Sequence, residues 1–132
     1  MKYLLDTNIC IYFLRGKYNL DKRFNQVGFE NFAISEITLA ELVFGAENSS
    51  NPSSNNKLVE ILSEQINTLP IYNAIPFYAK EKVRLRKLGI MISDFDLLIG
   101  STAISNDLTM VTQNVKEFNR INKIKIENWI LE

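Results

Sequence analysis

Three carboxylates stand in apolar company, where a solvated acid is not expected. Asp6 ends the run Tyr3-Leu4-Leu5. Glu41 sits within Thr38-Leu39-Ala40-Glu41-Leu42-Val43-Phe44. Asp96 lies in Asp94-Phe95-Asp96-Leu97-Leu98-Ile99-Gly100. Each has a plainer reading. A strand-end Asp such as Asp6 often caps the following helix. Glu41 could lie at the edge of a buried helix face. Asp94 and Asp96 could serve helix initiation, since acids favour the first turn, with Asp94 as the N-cap. Taken together, Asp6, Glu41 and Asp96 have a sharper one. If they converge, two such charges about 4 Å apart repel by about 4 kcal/mol at an effective dielectric of about 20. The cluster then requires protonation or a cation.

The chain has no histidine and a single cysteine, Cys10. That excludes Ser-His-Asp and Cys-His catalysis, histidine-based zinc, and Cys-cluster metal sites and intrachain disulfides. Cys10 itself lies in an apolar helical stretch and reads as a packing residue. An all-carboxylate pocket selects a hard ion such as Mg2+ or Mn2+. Such an ion orients phosphate oxygens, acidifies a bound water and stabilises a phosphodiester transition state. Metal-assisted phosphodiester hydrolysis needs no histidine.

The elements that must position these acids alternate along 132 residues, a length that makes one domain. Tyr3–Asp6 reads as a short buried strand, and Thr7–Leu14 and Leu20–Val27 as helices. Phe32-Ala33-Ile34 is a second strand. Ser35 then caps a helix through about Glu47. Asn48–Asn56, rich in Asn and Ser, reads as a loop, and Lys57–Ile66 as a helix. Thr68–Ile71 is a third strand, weakened by Pro70. Ala74–Leu88 is a helix closed by Gly89, and Asp94–Asn106 another. Thr109–Thr112 is a fourth strand, and Lys123–Glu127 alternates like an edge strand. Trp129, beside Ile130, would anchor the terminal segment. Strands separated by helices imply an α/β fold with parallel crossovers. In such sheets sites form beyond the carboxyl ends of the strands. Asp6 is at one such end, and Gln113-Asn114 follow another.

Fifteen basic residues balance fifteen acidic ones, so the strongly basic footprint of many nucleic-acid binders is absent. The balance is local, however. Lys80, Lys82, Arg84, Arg86 and Lys87 fall in eight residues of one helix, with only Glu81 opposing. They are either a solvated face or a phosphate-tracking strip. Arg15, Lys17, Lys22 and Arg23 could contribute as well. Tyr72, Phe77 and Tyr78 could stack on bases, though their spacing suits a core. The first apolar run is too short for a signal peptide or a membrane span, and no disulfide framework exists, so the cytoplasm is the expected compartment.

Four stretches in register resemble the PIN-domain ribonucleases, and within them the VapC-type toxins of toxin–antitoxin pairs. They are Tyr3–Tyr12, Ile34–Gly45, Asp94–Gly100 and Met110–Phe118, with Glu127-Asn128-Trp129 near the end. The resemblance implies a Rossmann-like, PIN-like sandwich over residues 1–132, with a central parallel sheet of four to five short strands flanked by helices. It places Asp6 and Asp96 on the two catalytic Asp positions and Glu41 on the family's Glu. Asp6 and Asp96 would ligate Mg2+ (or Mn2+), with Glu41 completing or orienting the shell. The place where many PIN domains carry a fourth acid is Asn114 here, with Glu117 three residues on; Asp94 is the remaining candidate for that outer shell. Lys82 falls where related toxins often carry an Arg. The implied activity is endoribonuclease cleavage leaving a 3′-hydroxyl and a 5′-phosphate, on structured RNA such as tRNA. The implied partners are a cognate antitoxin protein and a second copy in a homodimer.

Three rival readings are disfavoured, the first by the complete acid trio and the other two by their missing motifs. A PIN domain could keep its acids only as a module that binds RNA or protein. A receiver domain would want adjacent acids after the first strand and a phosphoacceptor after a middle one. Here the chain offers Asp6-Thr7 and Tyr72-Asn73. A haloacid-dehalogenase-like phosphatase would want Asp-x-Asp, and the chain reads Asp6-Thr7-Asn8.

Overall fold

In the computed structural model, which describes residues 1–130, short apolar strands alternate with helices. The order is β1 (Tyr3–Leu5), α1 (Thr7–Leu14), α2 (Leu20–Val27), β2 (Phe32–Ser35), α3 (Glu36–Glu47), α4 (Pro52–Gln65) and β3 (Asn67–Leu69). Then come α5 (Ile75–Leu88), α6 (Asp94–Ser105), β4 (Thr109–Val111), α7 (Val115–Phe118) and β5 (Ile126–Glu127). All strand pairs are parallel, and the sheet runs β3-β2-β1-β4-β5. Among the described residues no helix is long and apolar enough to cross a membrane.

The pleat explains the two-sided core. Successive strand side chains point to opposite faces. Tyr3, Leu5, Phe32, Ile34 and Val111 pack on one face with Ile9, Phe24, Leu42 and Leu62. Leu4, Ala33 and Met110 pack on the other with Leu85, Leu97, Ile99 and Phe118. Parallel strands covered on both faces read as continuous apolar runs, which is how Tyr3-Leu4-Leu5 announces itself. Trp129 fastens the end of the chain as expected, packing edge-on against Tyr3 with ring centroids 5.0 Å apart. Cys10 is buried, and burial pushes its thiol up, away from reactivity.

The chain leaves β1 in one direction toward β2 and β3, then returns to the other side of β1 for β4 and β5. The sheet's switch point therefore lies between β1 and β4, the place where open α/β sheets hold ligands. Asp6 follows β1 and Thr112 follows β4, so both stand at this point.

Several expectations need correction. The Asn-Ser run is not wholly a loop: Asn51 accepts from the Ser54 N–H, and Pro52 opens α4. A first helical turn needs a cap and tolerates Pro, but it does not need apolar residues. Ser93, not Asp94, caps α6, accepting from the Asp96 N–H at 3.2 Å. The third strand stops before Pro70, and the fifth keeps only two residues of Lys123–Glu127. Tyr72 is 79% exposed and belongs to no core, whereas Phe77 and Tyr78 pack partly against one.

Gly100 marks a close approach of α6 to the segment after α7. A Cβ there would run into Ile121 Cδ1. Gly100→Ala is expected to cost a net of about 0–2 kcal/mol in urea unfolding. Overpacking costs about 1–3 kcal/mol, and the better helix propensity returns about 1.

Candidate active site

Asp6 is held from two sides. Its Oδ1 accepts from the Thr7 N–H at 2.8 Å, so it does cap α1. Its Oδ2 accepts from Thr112 Oγ1 at 2.8 Å. The Asn114 N–H donates to that same hydroxyl at 2.9 Å. This backbone donor occupies Thr112 Oγ1 as an acceptor and leaves its proton for Asp6. The carboxyl is only 5% exposed. Its pKa is raised to about 6: burial pushes it up, the two hydrogen bonds pull part of that back, and the charges of Asp96 and Glu41 add to the rise.

Glu41 comes from the second turn of α3, whose start is fixed by Ser35 accepting from the Ile37 N–H at 3.1 Å. Its Oε1 accepts from Thr7 Oγ1 at 2.7 Å, and Thr38 Oγ1 stands 3.1 Å from that hydroxyl. Asp96 comes from the first turn of α6. Its pKa is raised, first by burial and then by the charges of Glu41 and Glu117. Three elements far apart in sequence thus bring Asp6, Glu41 and Asp96 into one another's field. They do not close into a cage. Among the described residues no three acidic side chains gather tightly enough to enclose an ion by themselves. None of the ion pairs among the described residues includes any of the three.

The other residues singled out in the sequence divide. Glu117 lies close enough to raise Asp96 and pairs loosely with Arg120 at 3.8 Å. Asn114 stands at the start of α7 and makes no side-chain cap bond. Asp94 turns to other work. Its Oδ1 accepts from Lys82 Nζ at 2.8 Å and from the Tyr78 hydroxyl at 2.9 Å, which hold its carboxyl below the usual range. The basic strip on α5 is also divided. Arg84 donates two bonds to Glu81, a buried residue and not a surface acid. Lys80, Arg86 and Lys87 are exposed.

The hydroxyls of Thr7, Thr38 and Thr112, and the bond from the Tyr12 hydroxyl to Gln113 Oε1 at 3.2 Å, were not legible in advance. The available signal was position. Thr7 and Thr112 are the polar residues that directly follow the apolar ends of β1 and β4, apart from Asp6 itself.

Thr112 acts on Asp6 by orienting it. Thr112→Val is expected to lower turnover about 10–100-fold, the usual cost of losing a partner that orients a ligand. Thr112→Ser should restore most of it. A purely steric role would instead spare the isosteric valine variant and impair the smaller serine one.

Comparison with known proteins finds relatives along nearly the whole chain. The model of the PIN domain matches residues 3–124. The chain is 36% identical to Ribonuclease VapC2 of Rickettsia felis, over 98% of each chain. It is 34% identical to the tRNA(fMet)-specific endonuclease VapC of Salmonella typhimurium, again over 98% of each. Its fold matches that of DNA-bound VapBC from Salmonella typhimurium with a TM-score of 0.92, at 35% identity over 98% of each chain.

Proposed function

Because this chain belongs to the PIN-domain family, among the VapC ribonucleases, we propose that it is a metal-dependent endoribonuclease and the toxin of a toxin–antitoxin pair. One observation carries the reading. Asp6, Glu41 and Asp96 share a field at the switch point of the sheet, and no ion pair among the described residues neutralises them.

The donor set fits a hard divalent cation. It is all oxygen, and its self-repulsion is what such a charge relieves. The open arrangement suits Mg2+, which keeps several waters and takes one or two carboxylates. Asp6 and Asp96 would hold it, with Glu41 completing or orienting the shell. When bound, the ion supplies Lewis-acid stabilisation and an acidified water for attack on a phosphodiester. The protein's own residues do the rest. Thr112 and the Thr7 N–H fix the Asp6 carboxyl, and Thr7 Oγ1 fixes Glu41 Oε1, leaving Oε2 for a water. Asn114 and Glu117 are candidates for the outer shell. On α5, Lys80, Arg86 and Lys87 are free to meet RNA phosphates, while Lys82 and Arg84 do so only if their present partners yield.

The partners follow from the same family. An antitoxin segment suits the groove of about 190 Å3 between α1, α3 and α4. Ile11, Leu14, Leu42 and Leu58 line it, with Arg15 and Glu41 also on its wall. The VapBC architecture of its structural relatives supports such a partner. Val83, Leu88, Met91 and Phe95 are more than half exposed on and between α5 and α6. They offer an apolar face to a second copy.

The test is to strip the purified chain with EDTA and mix it with structured RNA. Addition of Mg2+ or Mn2+ should start cleavage that leaves 5′-phosphate ends. Cleavage at an unchanged rate in EDTA would remove the metal from the proposal.

A further inference from the structure

A second feature lies on α2. Tyr18, Asn19, Lys22, Arg23, Gln26 and Trp129 line a cleft of about 360 Å3 that none of the acids enters. This volume falls within the range of small-ligand sites. The sequence from Arg15 to Arg23 carries four cations against one acid, Asp21. Arg23 lies over the Trp129 ring, 4.5 Å from its centroid, and its ion pair with Glu127 is long, 3.9 Å, with both side chains over two-fifths exposed. Glu127 is also held by the Trp129 indole N–H at 3.0 Å. The guanidinium is thus presented on an aromatic platform and only loosely neutralised. Lys22 is exposed and forms no ion pair among the described residues.

The backbone at the cleft's mouth is unusual. Tyr18 and Asn19 hold left-handed φ values of 59° and 55°, a conformation a bulky side chain adopts only when its surroundings impose it. The result puts the Tyr18 ring 40% exposed yet edge-on against Tyr12, with centroids 5.0 Å apart. Asn19 makes no capping bond to the helix it precedes, so its amide is available.

Contacts tie this cleft to the acids. Tyr18 packs on Tyr12, the Tyr12 hydroxyl donates to Gln113, and the neighbouring Thr112 donates to Asp6. The strands are parallel, so Asp6 and Gln113, beyond the ends of β1 and β4, and Glu127, the last residue of β5, all lie at carboxyl ends on one rim of the sheet. Between β1 and β5 that rim spans about 10 Å. Cations beside an exposed aromatic ring, Tyr18, at such a distance suit a single-stranded polyanion with stackable bases.

We propose that the cleft along α2, with Tyr18 as its stacking face and Lys22 and Arg23 as phosphate contacts, holds a flanking nucleotide of the RNA strand that enters the acidic site. The proposal rests on the ribonuclease reading above. An acidic peptide would satisfy the cations but would leave the exposed Tyr18 ring and the Asn19 amide unused.

The experiment uses the full chain carrying Asp96→Asn, to block cleavage, and a fluorescein-labelled 15-nucleotide RNA of mixed sequence. Adding Lys22→Ala or Tyr18→Gly is expected to weaken binding about tenfold. Lys22→Ala should also lower the slope of log affinity against log salt by about 1. Tyr18→Gly removes the ring while keeping the left-handed backbone, which glycine adopts freely. Independently of any variant at the cleft, 4-thiouridine in the RNA should crosslink to the peptide containing Tyr18. If the parent binds RNA but both variants bind within twofold of it and no crosslink maps there, the subsite is wrong and the ribonuclease reading stands. If the variants keep RNA binding and lose only the binding of an Asp- and Glu-rich peptide, the cleft serves a protein and the proposal is overturned. If neither the parent binds nor the wild type cleaves RNA, both readings fall together.

Discussion

Replacing Asp6 with asparagine is expected to abolish RNA cleavage and, at the same time, make the metal-free protein more stable. Loss of one anionic ligand removes several kcal/mol of transition-state stabilisation, and about 4 kcal/mol corresponds to about 10³-fold in rate. The stability gain has a separate cause. The native carboxyl is 5% exposed and lies in the field of Glu41 and Asp96. A neutral amide of the same shape avoids burying that charge. It keeps an oxygen for the Thr7 N–H, and its amide nitrogen can donate to the second lone pair of the Thr112 hydroxyl, whose own proton then turns away. After allowing for imperfect geometry the gain is about 1–2 kcal/mol, measured by urea unfolding in EDTA. Sites built for function often sacrifice stability in this way. A variant both inactive and less stable would make Asp6 a structural cap and nothing more.

The second large effect lies away from the acids. Glu81→Ala is expected to destabilise the fold by about 2–3 kcal/mol. Glu81 is buried on α5, and its carboxyl accepts two bonds from Arg84 and one from the Asn122 N–H. Arg84 also donates to the Arg120 carbonyl at 2.8 Å, and Arg120 donates to the Met91 carbonyl at 2.6 Å. The acid thus fastens α5 to the segment that follows α7. Breaking a buried pair costs about 3–5 kcal/mol; the value is reduced because the Arg84 side chain is 38% exposed and can turn to water. The Arg84 bonds hold the carboxyl below its ordinary value near 4.5. The folded protein therefore takes up this proton less readily than the unfolded chain. Its stabilisation is complete above about pH 4.5 and is lost as pH falls through the folded value. Glu81→Gln should accordingly flatten that part of the acid limb of a stability profile. An unchanged acid limb would show that Glu81 contributes no charge interaction.

Much of this was legible in the sequence, for identifiable reasons. The strands at Tyr3–Leu5 and Phe32–Ser35 are buried on both faces, so an apolar run marks them directly. Asp6, Glu41 and Asp96 stood out because each interrupts such surroundings. What escaped depends on partners chosen in three dimensions. Nothing local tells that Lys82 turns to Asp94, or that Glu81 is interior and captures Arg84. Those two pairings dissolve part of a basic strip that the helix period alone supports. The start of α4 escaped for a different reason. Asn51 and Pro52 carry it by capping chemistry, where hydrophobic spacing is silent. The left-handed pair Tyr18-Asn19 has no glycine to signal it.

The central claim, that the three carboxylates form the catalytic centre of a ribonuclease, is tested most directly by a paired cleavage assay. Wild type and Asp96→Asn are given the same structured RNA with Mg2+ and followed on one gel. Asp96 is partly buried and lies in the field of Glu41 and Glu117, and its amide variant keeps the size of the side chain and the Ser93 cap on its N–H. The predicted result is metal-dependent cleavage by the wild type and a loss of about 10³-fold in the folded variant. Equal cleavage by the two proteins would contradict the account.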